Sequence, residues 1–263
     1  MSILVMEILS QGLIFAADRN ITGYDCIGNP LRDREIRKVI KWPNSKAIFG
    51  FVGAAKLGNL YIDEWMNNFI EDNTDFISLK LLSEKLCRKI QEQRNTDEGD
   101  EKPSPLIIHI GGFEEREGFK VPEIWFIRNV HGMGVYKYED ISKKFACSEA
   151  FWDRFPLTLQ GRKAYPNEVR MILGVMAKKF RPFWFHHGFD LATFNTMEEN
   201  LKSTLKILCE NHPNHEYPKT LKDWEKILKM QILMYDAYFE AFYPENERFV
   251  GGGVNVESIA WPD

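Results

Sequence analysis

The chain has 263 residues, 44% hydrophobic and 27% charged, an ordinary globular balance that supports a sizeable core without disulfides or metals. Its 34 Lys and Arg against 38 Asp and Glu give a net charge of −4, which argues against a nucleic-acid binder or a reader of anionic membranes. Four scattered cysteines (Cys26, Cys87, Cys147, Cys209) form no C-x-x-C pair, no apolar run reaches membrane-spanning length, and no basic leader precedes an apolar stretch; the expectation is a reducing, cytoplasmic setting without a zinc cluster.

Ile3–Met6 and Leu13–Ala17 are apolar runs broken by Ser10-Gln-Gly12, which predicts a hairpin buried on both faces because alternation is absent. Residues 20–35 are polar, carry Gly23, Gly28 and Pro30, and read as a loop. A second hairpin is expected from Ile36–Trp42 and Ala47–Val52, with Pro43-Asn44 suiting a type I turn. Leu57, Tyr61, Trp65 and Phe69 recur at helical spacing, as do Phe76, Leu79, Leu82, Leu86 and Ile90, with Asp75 as N-cap of the second helix. Pro105–Gly111 and Glu123–Arg128 predict strands joined by an acidic loop, Phe113–Gly118. Val135–Tyr138 and Lys144–Cys147 suggest short strands. Helical periodicity returns over 165–243, and Gly251–Gly253 marks a turn into a last strand ending near Ile259. Strands, helices, strands, helices and a final strand, with no repeat or linker, imply one α+β domain over residues 1–263, built on antiparallel sheet and two sheets enclosed by helical layers.

The hairpin count puts functional chemistry at one end. With Ser10-Gln11 as a two-residue turn, Leu9 faces Gly12, and Ser2 falls opposite Arg19 and beside Asp18. Lys38 lies at the Phe51–Gly53 end of the second hairpin. An Asp and a Lys within apolar strands each need a partner, and a structural Asp18–Lys38 ion pair meets that need by itself. The position of Ser2 suggests more. Trimming of Met1 would leave a serine with a free α-amine, which can serve its own hydroxyl as general base. The amine's reference pKa is near 8, and a neighbouring Lys38 cation would lower it toward neutrality.

Ser2 through Gly53 resembles the proteasome β subunit and its bacterial relatives, which are N-terminal-nucleophile hydrolases. Gly12-Leu-Ile-Phe-Ala-Ala-Asp-Arg-Asn-Ile-Thr22 is similar to that family's glycine turn, apolar strand and A-A-D-x-R-x-T signature, with Arg19 one place early. The resemblance implies a four-layer α-β-β-α sandwich in which Ser2 is the nucleophile, Lys38 tunes the amine, Asp18 orients Lys38 and the Gly53 amide holds the oxyanion. It covers the first 55 or so residues specifically, continues in the strands at Ile107–Gly112, Ile124–Arg128 and Gly251–Val256, and fades across an enlarged helical portion at 165–243. Serine replaces the family's threonine; Glu247 and Val250 stand where its aspartate and serine precede the last strand, and Ser148 stands nearest its mid-chain serine. A peptide or protein substrate and a homo-oligomer, ring or stack, are implied; an ATP-dependent unfoldase partner is left open. No cofactor is implied. A catalytically inactive scaffold and a non-proteolytic acylase are the alternatives.

Other signals are weaker. His186-His187 and His212–His215 lack a ligand pattern for metal, so packing or surface roles are expected. Gly132-Met-Gly134 has no following helix to bind a dinucleotide, and no G-x-S-x-G elbow occurs. The aromatic stretch at 176–189 is expected in the core or at a subunit interface.

Overall fold

A computed structural model describes residues 2–24, 30–96, 104–130, 141–155, 164–179, 182–188, 191–212, 216–242 and 250–262. Strands β1 (Ile3–Leu9) and β2 (Gly12–Asp18) form the first hairpin, with Leu9 paired to Gly12 and Leu4 to Ala17, the register expected from the turn. β3 (Asn20–Tyr24) and β4 (Pro30–Glu35) pair as a two-stranded ribbon where a loop was expected. The polar composition of 20–35 hid it, since strands paired through their backbones need no apolar alternation in the sequence.

β5 (Val39–Lys41) and β6 (Ala47–Gly53) form the second hairpin, Val39 opposite Gly50. Its turn is not type I: Asn44 sits at φ 66°, ψ 11°, a left-handed conformation that an Asn side chain tolerates. Leu57 and Tyr61 lie in a tiny ribbon, β7 (Lys56–Leu57) with β8 (Leu60–Tyr61), ahead of α1 (Ile62–Glu71). α2 (Leu79–Thr96) starts after the expected Asp75 cap. Ser78 takes that role, its Oγ accepting the Leu81 N–H at 3.3 Å, and Phe76 precedes the helix.

β9 (Leu106–Arg116) and β10 (Phe119–Val130) run straight through the acidic segment that was expected to loop. Only Glu117 and Gly118 turn, at φ 53° and 80°, the pair of positive angles that suits a tight hairpin. β11 (Ile141–Glu149) contains the expected Lys144–Cys147 strand, while Val135–Tyr138 lies outside the described residues. α3 (Phe151–Arg154) and α4 (Pro166–Lys178) follow. The region read as wholly helical then contains a strand, β12 (Phe183–Gly188), before α5 (Leu191–Asn211) and α6 (Leu221–Phe242). Aromatic residues favour strand when an open sheet edge is available, and β1 supplies one. β13 (Val254–Ala260) is the expected last strand.

Two antiparallel sheets result, ordered β12-β1-β2-β13 and β11-β10-β9-β6-β5. Leu4, Met6, Ile8, Leu13 and Phe15 from the first pack against Val39, Ile48, Ile124 and Phe126 from the second. Each such burial is worth roughly 1.5–3 kcal/mol. The sheets approach closely: a Cβ on Gly50 would stand 2.6 Å from Leu4 Cδ1. Ile3, Val5, Ile14 and Ala16 face the opposite way, under Phe194 of α5 and Trp224, Leu228, Ile232 and Tyr235 of α6. Phe49, Phe51, Ile108 and Ile110 lie under Ile62, Met66 and Phe69 of α1 and Leu82, Leu86 and Ile90 of α2. The layers therefore run α-β-β-α, as expected. Sheets covered on both faces explain why β1 and β2 are apolar on both faces apart from Glu7 and Asp18.

Candidate active site

Ser2, Asp18 and Lys38 converge at the open end of the first hairpin. Ser2 leads into β1, Asp18 closes β2 beside it, and Lys38 stands just ahead of β5 in the second sheet. Lys38 Nζ donates to Asp18 Oδ2 at 2.9 Å and lies 2.6 Å from Ser2 Oγ. The second Asp18 oxygen accepts the Ile3 N–H at 2.9 Å, so both are occupied. All three residues are buried, Ser2 at 7% exposure and Asp18 at 0%.

The lysine spans the two sheets, and its backbone is held from both. Phe51 N–H donates to the Lys38 carbonyl at 3.0 Å, fixing it to β6. Val39 N–H donates to Asn255 Oδ1 at 2.7 Å, and the Arg37 guanidinium bonds Glu257, so both flanking residues are tied to β13. β13 in turn pairs with β2, Val254 opposite Asp18. Asn255 and Glu257 thus link the strand next to Asp18 with the segment carrying Lys38. Sequence reading assigned them no role; the available signal was two polar side chains within a strand beside the glycine run. That run also wraps the exit of β2, where Arg19 N–H reaches the carbonyls of Gly251 and Gly253 at 3.0 and 3.2 Å.

Gly53 ends β6, two residues beyond Phe51, at φ 109°. A Cβ there would lie 2.1 Å from the Pro105 carbonyl oxygen, so only glycine fits. Ser148 is not part of this group: it lies on β11, paired with Phe126 of β10, and three strands separate β11 from β5. Val250 is buried, and Glu247 lies outside the described residues.

Burial pushes the Lys38 ammonium below its ordinary value, opposed by the Asp18 charge and hydrogen bond. A carboxylate–ammonium–hydroxyl chain of this kind can polarise the hydroxyl and stabilise negative charge developing on its oxygen. His186 and His187 sit on β12, where His186 Nδ1 meets Asn195 Oδ1 at 2.9 Å and His187 Nδ1 meets His109 Nε2 at 2.6 Å. These are packing roles. Among the described residues no group of three or more His, Cys, Asp or Glu is placed to hold a metal ion, and no helix is long and apolar enough to cross a membrane.

No family model matches the sequence, and no curated protein matches it. Solved structures do. Anbu (ancestral beta-subunit) from Yersinia bercovieri is 14% identical, with 98% of this chain and 81% of that one covered at a TM-score of 0.47. The Gly-1 mutant of Anbu from Hyphomicrobium sp. strain MC1 is 14% identical over 100% and 84% of the two chains, at 0.45. A second crystal form of Anbu from that organism gives 14%, 99% and 88%, at 0.39. The chemistry available here rests on the site's own geometry.

Proposed function

We propose that this protein is a proteasome-like N-terminal serine hydrolase that cleaves peptide bonds once removal of Met1 exposes Ser2. The observation that carries the reading is the buried chain from Asp18 through Lys38 to Ser2 Oγ, at 2.9 and 2.6 Å. Ser2 Oγ attacks the peptide carbonyl and its α-amine takes the hydroxyl proton. The oxygen–carbon bond forms, the amide C–N bond breaks, and the proton passes to the departing amine. Water then attacks the acyl ester, returning its proton through the α-amine and freeing Ser2. Lys38 lowers the amine's proton affinity and stabilises charge on Oγ, Asp18 holds Lys38, and the Gly53 amide serves the oxyanion. We assign the reaction to a cytoplasmic homo-oligomer of one domain per chain, with no cofactor.

Three measurements test this. Intact mass must show loss of Met1. A serine-directed, amide-mimicking electrophile must then label Ser2, and peptide substrates must turn over in preference to small amides. A chain that keeps Met1 and stays unlabelled sinks the reading. The inactive scaffold is the second reading, favoured by the near-complete burial of Ser2; the same experiment decides between the two.

A further inference from the structure

Behind the hairpin lies a second buried charge cluster that the hydrolase reading does not use. On the helix-facing side of β1 the pattern Ile3, Val5, Glu7, Leu9 sets one carboxylate among apolar residues. α5 places Glu198 and Lys202 above it, one turn apart. Lys202 Nζ contacts Glu198 Oε1 directly and lies 3.6 Å from Glu7 Oε1, while Glu198 Oε2 is 3.5 Å from His186 Nε2 on β12. None of these side chains is more than 4% exposed. Neither Glu7 oxygen has a hydrogen-bond partner.

Charge counting decides the protonation state. The cluster holds two carboxylates, one ammonium and an imidazole that burial keeps neutral down to about 3. Lys202 and Glu198 are the charges that act on Glu7. Ile14 and Trp184 flank it in register, and the α6 residues buried on this face are Trp224, Ile227, Leu228, Gln231, Ile232, Phe239 and the phenol of Tyr235. α4 reaches this cluster through Ala177, while its Arg170 and Lys178 are exposed, Arg170 on the Ser10 carbonyl. With both carboxylates ionised, a net negative charge would sit in a dry layer, which is costly. Glu198 has the closer ammonium, so the proton belongs on Glu7.

The cluster is also the seam between α5 and the sheet. α6 buries six large apolar or aromatic side chains on this face, whereas α5 contributes Phe194 to the buried set, with Met197 and Leu205 half-buried. α5 therefore depends more on its polar contacts. We propose that Glu7 holds one proton in this cluster, and that losing it loosens α5 from the first sheet, making α5 a pH-gated element of the fold. Burial raises the Glu7 carboxyl to about 7, with Lys202 opposing, so the gate operates around neutrality. The sign follows from linkage. When α5 opens, Glu7 returns to an ordinary carboxyl and binds fewer protons, so opening becomes easier as pH rises through 7. His186 acts oppositely below about 6.5, because opening lets it protonate.

The test is hydrogen exchange of α5 amides at pH 6 and pH 8, as protection factors, in the wild type and in Glu7→Gln, which keeps the shape of the protonated acid. The His186 contribution is common to both and cancels in their ratio. The ratio of wild-type to variant protection should fall about tenfold between pH 6 and pH 8 in α5, and should hold constant in α2 on the far side of the molecule. An unchanged α5 ratio overturns the proposal. Should Glu7→Gln not fold, ¹³C-carboxyl titration of the wild type decides instead: one Glu resonance titrating near neutrality supports it, and all titrating below about 5 refutes it.

Discussion

Lys38 Nζ lies 2.9 Å from Asp18 Oδ2, although the two residues belong to different sheets and are buried at 2% and 0% exposure. Removing one partner strands the other's charge. Asp18→Asn should destabilise the fold by roughly 3–5 kcal/mol, measured by urea unfolding. The double variant Asp18→Asn, Lys38→Met should recover most of that loss; a double variant as unstable as the sum of the singles would show that the ion pair is not the cause.

The proposed mechanism gives Ser2 and Lys38 separable signatures. Ser2→Ala should abolish turnover with the fold intact, and Ser2→Thr should retain it. Lys38→Ala should slow turnover at least tenfold, about 1.4 kcal/mol of transition-state stabilisation. It should also move the activity optimum to higher pH, because the α-amine loses a neighbouring cation and its pKa rises. An optimum that stays in place would leave Lys38 a structural residue.

Asn255 should matter through Lys38. Asn255→Ala leaves the Val39 N–H without its 2.7 Å acceptor, at a cost of about 1–3 kcal/mol in stability. If Asn255 also sets the position of Lys38, the pH optimum of the variant should shift in the direction seen for Lys38→Ala. A variant that loses stability alone confines Asn255 to scaffolding.

At Gly53 the backbone itself is constrained. Its φ of 109° and the 2.1 Å approach of Pro105 O to any Cβ predict that Gly53→Ala costs at least about 2 kcal/mol and displaces this end of β6. Thermal denaturation checks the first part. Loss of turnover beyond the unfolded fraction checks the assigned oxyanion role.

His187 supplies a pH test of the inter-sheet packing. Burial, and then the Arg128 and Arg154 charges, lower its pKa to about 3. The unfolded chain takes up that proton near 6.5, so below that value the unfolded state binds more protons and stability falls with pH. Relative to His187→Gln, the wild type should lose about 1.4 kcal/mol per pH unit below pH 6, or ~2 kcal/mol between pH 6 and 4.5. Urea titrations at the two values give the difference; a constant difference would mean that His187 titrates in the fold.

The sequence by itself determined the elements whose information is local. A two-residue turn fixes a hairpin register, so counting outward from Ser10-Gln11 was enough to bring Ser2 next to Asp18. Uninterrupted apolar runs in β1 and β2 required cover on both faces, which anticipated two sheets between helical layers. Polar segments misled for the same reason. The segments 20–35 and 113–118 are polar in composition, and their pairing is held by backbone hydrogen bonds that any sequence can make. Only the tertiary structure decided that Phe183–Gly188 is a strand, since an aromatic run takes whichever conformation its neighbour completes and that neighbour, β1, lies about 180 residues earlier. It alone joined Asn255 and Glu257 to the Lys38 segment and gathered Glu7, His186, Glu198 and Lys202 under α5. Those contacts link residues far apart in the chain, where periodicity carries no information and packing sets which polar groups share a dry space.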